Sequence, residues 1–342
     1  MSSVCVVGGG IAGIACARAL AAAGADVVVH ERSRAVGGRM ASRRVAGRVV
    51  DTGAQYFTAA GDSFRGVAGG WLERGLAREW TDTLDVYDGG TRQPSKSGPM
   101  RWAAPGGLRS LVRDLAEGLD VRLDGSVTDV GPGPTVDGAA YDAVVLAMPD
   151  PQALRLLHPA LVDVREQLAG RDWEPQLALL TGFARRTWDL DAAFVNGDEV
   201  LSVVADDGAR RGDLAPVLVA HSTVAFATRH LHDPAAATPS MVAALRGLLG
   251  LKEPDWALVH RWGFATPARP RDAPCWVGSD RVGLCGDGWG TPKVENAWAS
   301  GDALGQLIAG QLIAGAHAVG GAASAGAGER GDGQGQRGRD DQ

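Results

Sequence analysis

The chain has 342 residues, 45% hydrophobic and 22% charged, which is ordinary for a globular protein with one large or two smaller packed units. Its formal net charge is −6 and it has no basic block, which argues against nucleic acid or an anionic membrane as partner. Its four cysteines form no C-x-x-C pair, so we expect buried thiols in a reducing cytoplasm.

The first thirty residues predict a strand, a helix and a second strand. Residues 4–7 are a short apolar run typical of a buried parallel strand, and residues 14–23 are an alanine-rich helix that ends at Gly24. Residues 26–30 are the second strand. No positive charge precedes this stretch, and Arg18 and Asp26 interrupt it, so we expect neither a signal peptide nor a membrane span.

A glycine motif joins the first strand to the helix. Gly8, Gly10 and Gly13 fit G-x-G-x-x-G, in which the glycines allow a tight turn, approach of backbone to a diphosphate, and close helix–strand packing. The start of the helix directs free N–H groups at phosphate. Glu31 follows Gly8 by 23 residues and can accept hydrogen bonds from a ribose. The motif predicts a dinucleotide, either FAD or NAD.

The next elements alternate between helix and strand. They are a helix over 62–79 with Trp71 and Leu72 buried, a loop or short strands over 89–107, a helix over 108–119, and strands over 121–123, 126–130 and 141–147. The middle of the chain predicts an antiparallel sheet inserted into the dinucleotide fold. Its elements are strand-like runs over 176–184, 200–205 and 216–227, a helix over 239–249 and a strand over 256–264. A strand over 282–285 and a helix over 294–312 follow.

Two further segments favour FAD over NAD. Residues 34–42 form a second glycine turn, in which Arg39 can offer a bidentate guanidinium to a diphosphate; the alternative is a plain surface loop. Near the C-terminus, Asp287 can accept hydrogen bonds from a ribityl chain, and the helix from Val294 can set its positive end against the flavin pyrimidine. Each of the two segments alone also fits an ordinary turn, whereas the two together predict a bound flavin.

These motifs resemble a known family. The G-x-G-x-x-G turn, Glu31, G-G-R at 37–39 and G-D at 286–287 resemble the amine-oxidase-type FAD superfamily. Within it, G-R-M-A-S at 38–42, D-T-G-A-Q-Y-F-T at 51–58 and H-R-W at 260–262 resemble bacterial renalases, and E-N-A-W at 295–298 is similar to their E-x-A-W. The resemblance spans residues 4–313. It implies an α/β fold: an FAD-binding Rossmann-like domain of three-layer ββα type with an inserted α+β substrate domain built on an antiparallel sheet.

The resemblance also implies a division of the chain. We expect an FAD-binding domain of residues 1–60, 106–150 and 280–315 and a substrate domain of residues 61–105 and 151–279. Outside the resemblance, the Gly/Ala-rich composition of residues 316–342 predicts a disordered tail. The expected cofactor is non-covalent FAD, since residues 285–291 hold no second cysteine for a tether. The predicted cofactor-binding residues are Gly8, Gly10, Ile11, Ala12, Gly13, Glu31, Arg32, Gly38, Arg39, Met40, Val127, Asp287 and Val294.

A reaction follows from the same resemblance. Renalases pass hydride from the 2- and 6-dihydro isomers of NAD(P) to flavin N5, and O2 then reoxidises the flavin to give H2O2. A dihydropyridine gives hydride without losing a proton, so such a site needs positioning more than acid–base catalysis. The candidate catalytic residues are Gln55, Tyr56, His221 and Trp262. His221 and Trp262 fit a core histidine and a packed indole equally well.

Other functions stay open. The same scaffold serves oxidases or desaturases of amines and small metabolites, and Tyr56 with Trp289 can supply the aromatic pair of an amine oxidase. A flavin-binding sensor without catalysis is a further alternative. His230 and His232 lack further ligands nearby, so we expect no metal. The expected partners are a small-molecule substrate and O2, with neither nucleic acid nor membrane, in the cytoplasm.

Overall fold

The computed structural model of the chain describes the backbone of residues 2–325 and the side chains of residues 2–314. Its strands are β1 (Ser3–Val7), β2 (Asp26–His30), β3 (Ser42–Val45), β4 (Arg48–Asp51), β5 (Arg78–Asp88), β6 (Thr91–Ala103), β7 (Asp120–Arg122), β8 (Val130–Gly131), β9 (Thr135–Val136), β10 (Ala139–Ala140), β11 (Ala143–Leu146), β12 (Trp173–Gly182), β13 (Ala192–Asn196), β14 (Leu201–Asp206), β15 (Val217–Ser222), β16 (Trp256–Pro267), β17 (Trp276–Val277) and β18 (Val282–Leu284). Its α-helices are α1 (Ile11–Ala22), α2 (Asp62–Glu73), α3 (Leu108–Ala116), α4 (Asp150–Leu154), α5 (Val162–Leu168), α6 (Asp207–Arg211), α7 (Val224–Arg229), α8 (Thr238–Leu249) and α9 (Val294–Ala325). Short 3-10 turns span Gly38–Met40 and Ala235–Ala237.

The first sheet has six strands in the order β17-β18-β11-β1-β2-β7, and all neighbours are parallel except β17 and β18. Along β1, Val4 and Val6 pack with residues of α1, α3 and α9. Cys5 and Val7 face the other way and pack with β8, β9, α4 and α5. A strand that is buried on both faces needs a continuous apolar run, as the sequence shows. Helices, central sheet and the small β8–β10 sheet form the three layers that the sequence predicted.

The second sheet has seven strands in the order β16-β12-β15-β14-β13-β5-β6. Its neighbours are antiparallel except β13 and β5, which run parallel, so the expected antiparallel sheet is in fact mixed. Helix α8 covers one face, where Met241 and Leu245 pack with Leu177 and Leu179 of β12. The predicted fold class is confirmed, and the predicted domain limits stay a prediction.

Two predictions upstream of β7 were wrong. The helix predicted over 62–79 ends at Glu73, and Leu72 is 43% exposed, whereas Trp71 is buried. Neighbouring residues lie about 100° apart on a helix, so the buried face that holds Trp71 leaves Leu72 outside. The segment over 89–107, predicted as a loop or short strands, is mostly one long strand, β6, most of which is exposed. No alternation of apolar and polar residues therefore marks this strand.

Two other predicted strands are shorter than expected. The run over 126–130 is a strand only from Val130, where β8 begins. The run over 216–227 is β15 followed by α7, because the Thr223 hydroxyl accepts a hydrogen bond from the Phe226 N–H and caps the helix.

The last helix corrects the predicted tail. α9 continues to Ala325, so residues 316–325 of the expected disordered segment are helical. Five of these ten residues are alanine, the strongest helix former, which outweighs the glycines between them. The rest of that predicted tail, residues 326–342, lies outside the described residues.

Candidate active site

An elongated cavity of about 1220 Å³ lies between the two sheets. Residues that follow β1, β2, β11 and β18 line one side of it, and residues of β12, β15 and β16 line the other. Open α/β sheets bind their ligands at this carboxyl edge of the parallel strands. Because single-ligand pockets typically measure roughly 300–1000 Å³, this cavity has room for a dinucleotide and a second molecule.

The first glycine turn closes the carboxyl end of β1. Gly8 has φ +113°, and a Cβ there would lie 2.6 Å from the carbonyl oxygen of Ala147. A Cβ on Gly13 would overlap the carbonyl oxygen of Gly8, so α1 packs directly on the turn. Both positions have the roles that the motif predicted. Helix α1 then begins at Ile11, with its N-terminus on the cavity.

The second glycine turn stacks on the first. The Gly37 N–H donates to the carbonyl of Gly9 at 2.8 Å. Gly38 has φ +52°, and a Cβ on it would lie 3.1 Å from the Cα of Gly10. The two turns thus present bare backbone to the cavity side by side, which is the surface that a diphosphate needs.

Glu31 is buried at the end of β2, 6% exposed. Its Oε2 accepts the Gly9 N–H at 2.8 Å, and its Oε1 accepts the N–H of Ser33 at 2.8 Å and the hydroxyl of the same residue. The carboxylate is therefore fixed in place, and it lines the cavity with remaining acceptor capacity for ribose hydroxyls.

Arg39, after β2, and Asp287, after β18, meet at the carboxyl edge of the first sheet and both line the cavity. The two Nη atoms donate to the two carboxylate oxygens at 2.7 and 2.6 Å, and Nη1 also donates to the carbonyl of Ala265 at 3.0 Å. The guanidinium lies 4.9 Å from the ring centroid of Trp173. Sequence reasoning assigned these residues to separate parts of a flavin, whereas the structure pairs them with each other.

Most predicted site residues converge on this one cavity. The predicted cofactor-binding residues that line it are Gly8, Gly10, Ile11, Ala12, Glu31, Arg32, Gly38, Arg39, Met40, Val127, Asp287 and Val294. Gly13 lies behind the turn, as its packing role requires. The candidate catalytic residues His221 and Trp262 also line the cavity.

Tyr56 is turned away from the cavity. Its ring centroid lies 6.3 Å from that of Trp80 and 5.4 Å from the guanidinium carbon of Arg101. Gln55 is also absent from the cavity lining: it is buried, 5% exposed, and reaches the cavity only through its contact with His221. Trp289 lines the cavity under the guanidinium of Arg271, 4.1 Å from the ring centroid. The aromatic pair of Tyr56 and Trp289 is therefore not assembled around the cavity.

His221 and Gln55 form a buried polar pair. The His221 Nε2 lies 3.3 Å from the Nε2 of Gln55, which donates to the Gly53 carbonyl at 2.9 Å. Burial and the nearby charge of Arg210 lower the pKa of His221 to about 4. His221 is therefore a neutral imidazole at neutral pH, able to donate or accept one hydrogen bond but not to carry charge.

One face of β16 forms an aromatic wall. His260, Trp262 and Phe264 alternate along the strand and line the cavity. The indole N–H of Trp262 donates to the carbonyl of Thr52 at 2.7 Å, which fixes its ring. His260 packs edge-on against that ring, with centroids 4.7 Å apart. Burial, and the charges of basic neighbours such as Arg43, lower the pKa of His260.

A buried ionic network lies behind Gln55, and sequence reasoning missed it. Arg210, 1% exposed, donates to Asp51 at 2.8 Å, to the Gln55 carbonyl at 2.6 Å, and to Asp207. Burial alone would raise the pKa of Asp207, but adjacent guanidinium groups hold it below its usual range. The network joins the β3–β4 hairpin to α6. A pattern such as D-G-A-R-R gives no sign of a partner 159 residues away.

The cavity lining is basic although the chain is acidic. Seven basic side chains line it, against three acidic ones. The basic residues are Arg32, Arg39, Arg43, Arg109, Arg155, Arg261 and Lys293, and the acidic ones are Glu31, Asp150 and Asp287. Within the part of the chain that the structure describes, only Arg39 of the seven forms a salt bridge. The cavity therefore favours anionic ligands.

The cysteines are free thiols, three of them buried. Burial raises the pKa of Cys5 to about 12, and a hydrogen bond with Cys285 together with burial raises that of Cys16 well above its usual range. Cys285 lines the cavity but is held in this thiol pair.

Residues 2–325 contain neither a metal-binding cluster nor a membrane-spanning helix. No group of three His, Cys, Asp or Glu side chains is placed to hold a metal ion. No described helix is both long and apolar enough to span a membrane.

Comparisons with known proteins agree with this geometry. Residues 6–68 match the NAD(P)-binding Rossmann-like domain, and residues 66–302 match the flavin containing amine oxidoreductase family. Similar solved structures include a putative protoporphyrinogen oxidase from Exiguobacterium sp. 255-15 and cyclohexylamine oxidase from Brevibacterium oxydans IH-35A, each with 14% identity, TM-score 0.72, and coverage of 91% of this chain and 99% of that one. Putrescine oxidase bound to putrescine has 17% identity, TM-score 0.70, and coverage of 92% and 99%.

The chain therefore belongs to the flavin containing amine oxidoreductases and is an FAD-dependent oxidoreductase. The cavity fits that cofactor, since stacked glycine turns, a helix N-terminus and the fixed carboxylate of Glu31 lie along one wall. Helix α9 begins at Val294 on the same cavity, which supplies a second helix N-terminus.

Proposed function

We propose that this oxidoreductase acts on dihydronicotinamide dinucleotides, the 2- and 6-dihydro isomers of NAD(P), as renalases do. The main support for this proposal is that the cavity lining is basic although the chain as a whole is acidic. FAD held along the glycine turns would supply the hydride acceptor and the route of the electrons to O2, with H2O2 as the product. The chain's own side chains have to bind and orient the hydride donor.

Charge favours an anionic donor. The diphosphate of FAD offsets part of the positive charge around the cavity, and the rest is available for the diphosphate of a second dinucleotide. An amine arrives as an ammonium ion, which the same groups repel. Arg43 of β3 and Arg261 of β16 lie near His260 and lack an ion pair in the described residues.

The polar and aromatic groups suit a nicotinamide. The hydrogen bond to Thr52 fixes the indole ring of Trp262. A dihydropyridine ring can stack on the flat apolar face of that indole. The adjacent His221 lines the cavity and offers an imidazole for a carboxamide, and Gln55 behind it holds that ring. His221 is not an imidazolium acid at neutral pH, and hydride transfer from a dihydropyridine requires no acid.

Amine oxidation is the second candidate. It is supported by the family itself and by the similar folds of putrescine oxidase and cyclohexylamine oxidase. The position of Tyr56 weighs against it, because the aromatic pair expected for an amine nitrogen is not assembled.

One experiment separates the two candidates. Purified holoenzyme is mixed anaerobically with 6-dihydroNAD, NADH, putrescine, cyclohexylamine and protoporphyrinogen in turn, and the visible absorbance of the flavin is followed. Rapid bleaching by 6-dihydroNAD and slow or no bleaching by the others supports the proposal. Rapid bleaching by an amine alone overturns it, and so does the absence of bleaching by every compound.

A further inference from the structure

Arg39, the guanidinium that sequence reasoning assigned to the cofactor diphosphate, is already engaged. It makes three hydrogen bonds, two to Asp287 and one to Ala265. Arginine offers five N–H donors, so more than half of its capacity is used. Its charge is also compensated by a carboxylate that is itself only 13% exposed. Another cation is needed to bind a diphosphate strongly.

Arg109 is such a cation, and it touches the second glycine turn. It is the second residue of α3, and it lines the same cavity as Gly10 and Gly38. A Cβ on Gly37 would lie 3.1 Å from the Cγ of Arg109 and 3.3 Å from its Nε. The side chain thus packs on the outer side of the turn whose inner side stacks on Gly10.

The charge of Arg109 has no compensating acid. It forms no salt bridge and no side-chain hydrogen bond with any residue in the described range, and its Nε is buried without a partner. Burial, together with the like charge of Arg113, lowers its pKa. Glu31 and Asp51 act in the opposite direction but do not offset this. A partly buried, unpaired guanidinium costs free energy unless an anion binds to it.

We propose that Arg109 binds the diphosphate of FAD, opposite the backbone N–H groups at the start of α1. The inference rests on the FAD site and is independent of the proposed substrate. Arg39 then joins the turn after β2 to the turn after β18 through Asp287, and Arg109 supplies the charge that faces the phosphates. The side chain that contacts the phosphates is then an arginine of α3, and it belongs to neither of the two glycine turns.

The test is the affinity of apoprotein for FAD, measured by quenching of flavin fluorescence. Arg109→Leu is compared with Arg113→Leu, which removes an exposed charge one helical turn away. We expect Arg109→Leu to weaken FAD binding by about tenfold or more, since hydrogen bonds to charged groups contribute about 1.5–3 kcal/mol. Arg113→Leu is expected to leave the affinity within about twofold of wild type.

Riboflavin, which lacks phosphate, distinguishes an anion contact from a general distortion. Its binding is expected to be unchanged in Arg109→Leu. Wild-type affinity for FAD in this variant overturns the proposal, as does an equal loss of affinity for riboflavin. If Arg109→Leu does not fold, Arg109→Gln is titrated with the same two ligands and judged by the same outcomes.

Discussion

Arg39 and Asp287 form a bidentate ion pair between residues that lie 248 positions apart in the chain. The pair joins the turn after β2 to the turn after β18 at the carboxyl edge of the first sheet, and both residues line the cavity. Planar guanidinium and carboxylate groups in this geometry bind more strongly than a single charged contact. Because Arg39 also donates to the carbonyl of Ala265 in β16, the pair helps to hold the first sheet's turns against the second sheet.

A double-mutant cycle measures this pair. In apoprotein, Arg39→Met and Asp287→Asn should each lower the free energy of unfolding by about 1–3 kcal/mol, because each leaves a partly buried charge unpaired. The double variant should lose at least about 1 kcal/mol less than the sum. Urea unfolding gives the values. The exposed pair Arg65–Asp62 serves as the control, with an expected coupling below about 0.5 kcal/mol. Additive losses at Arg39 and Asp287 would show that the ion pair contributes no stability.

His221 should make the stability of the protein depend on pH in the acidic range. Its pKa is about 4 in the folded protein against 6.5 ordinarily. Above pH 6.5 it is neutral in both states and contributes nothing. As the pH falls from 6.5 to 4 the unfolded chain binds a proton that the folded chain does not, so stability falls by up to about 1.4 kcal/mol per pH unit.

His221→Gln should remove part of this slope. The melting temperature is measured between pH 7 and pH 4.5 for wild type, His221→Gln and the control His232→Gln, which changes an exposed histidine. His260, whose pKa is also lowered, leaves a residual slope of the same sign. Equal slopes in wild type and His221→Gln would mean that His221 titrates normally.

Glu31→Ala should release FAD. The variant removes a buried carboxylate that orders Gly9 and Ser33 and that can accept ribose hydroxyls. Loss of hydrogen bonds to a charged group predicts an FAD affinity lower by about 10–100-fold. Flavin retained through gel filtration is compared with that of Glu117→Ala, a change at an exposed carboxylate. Full flavin content in Glu31→Ala would exclude the proposed role.

Trp262→Phe should slow reduction of the flavin while FAD stays bound. The substitution removes the hydrogen bond to Thr52 and lets the ring move, so the hydride donor loses part of its orientation. We expect the anaerobic reduction rate to fall by about tenfold or more with flavin content unchanged. Trp256→Phe, on the same strand but outside the cavity, is the matched control. A wild-type reduction rate for Trp262→Phe would show that this indole only packs and does not orient the hydride donor.

Local patterns allowed part of the fold to be predicted. β1, α1 and β2 follow one another within 30 residues, and their apolar runs and glycines report directly on burial and turns. The length of β6 was not predicted, because exposure over most of the strand leaves no alternation to detect. The end of α9 was missed because alanine and glycine, read as low complexity, still permit a helix.

The site was predictable where residues carry motifs and not where they meet at long range. Gly8, Gly38 and Glu31 belong to turns with a known geometry. The pairing of Arg39 with Asp287 depends on which strands lie in one sheet, and that of Arg210 with Asp51 on how α6 packs against the β3–β4 hairpin. Arg109 stands on a helix with no motif around it, and only the packing of Gly37 against its side chain gives it a role.

The most direct test of the proposed substrate compares one hydride donor with and without its phosphates. Stopped-flow reduction of the holoenzyme under anaerobic conditions gives the second-order rate constant for 6-dihydroNAD and for the corresponding dihydronicotinamide riboside. The basic cavity predicts a constant at least about tenfold larger for the dinucleotide, with the advantage shrinking as salt is added. Equal constants for the two donors, or reduction by amines alone, would contradict the account.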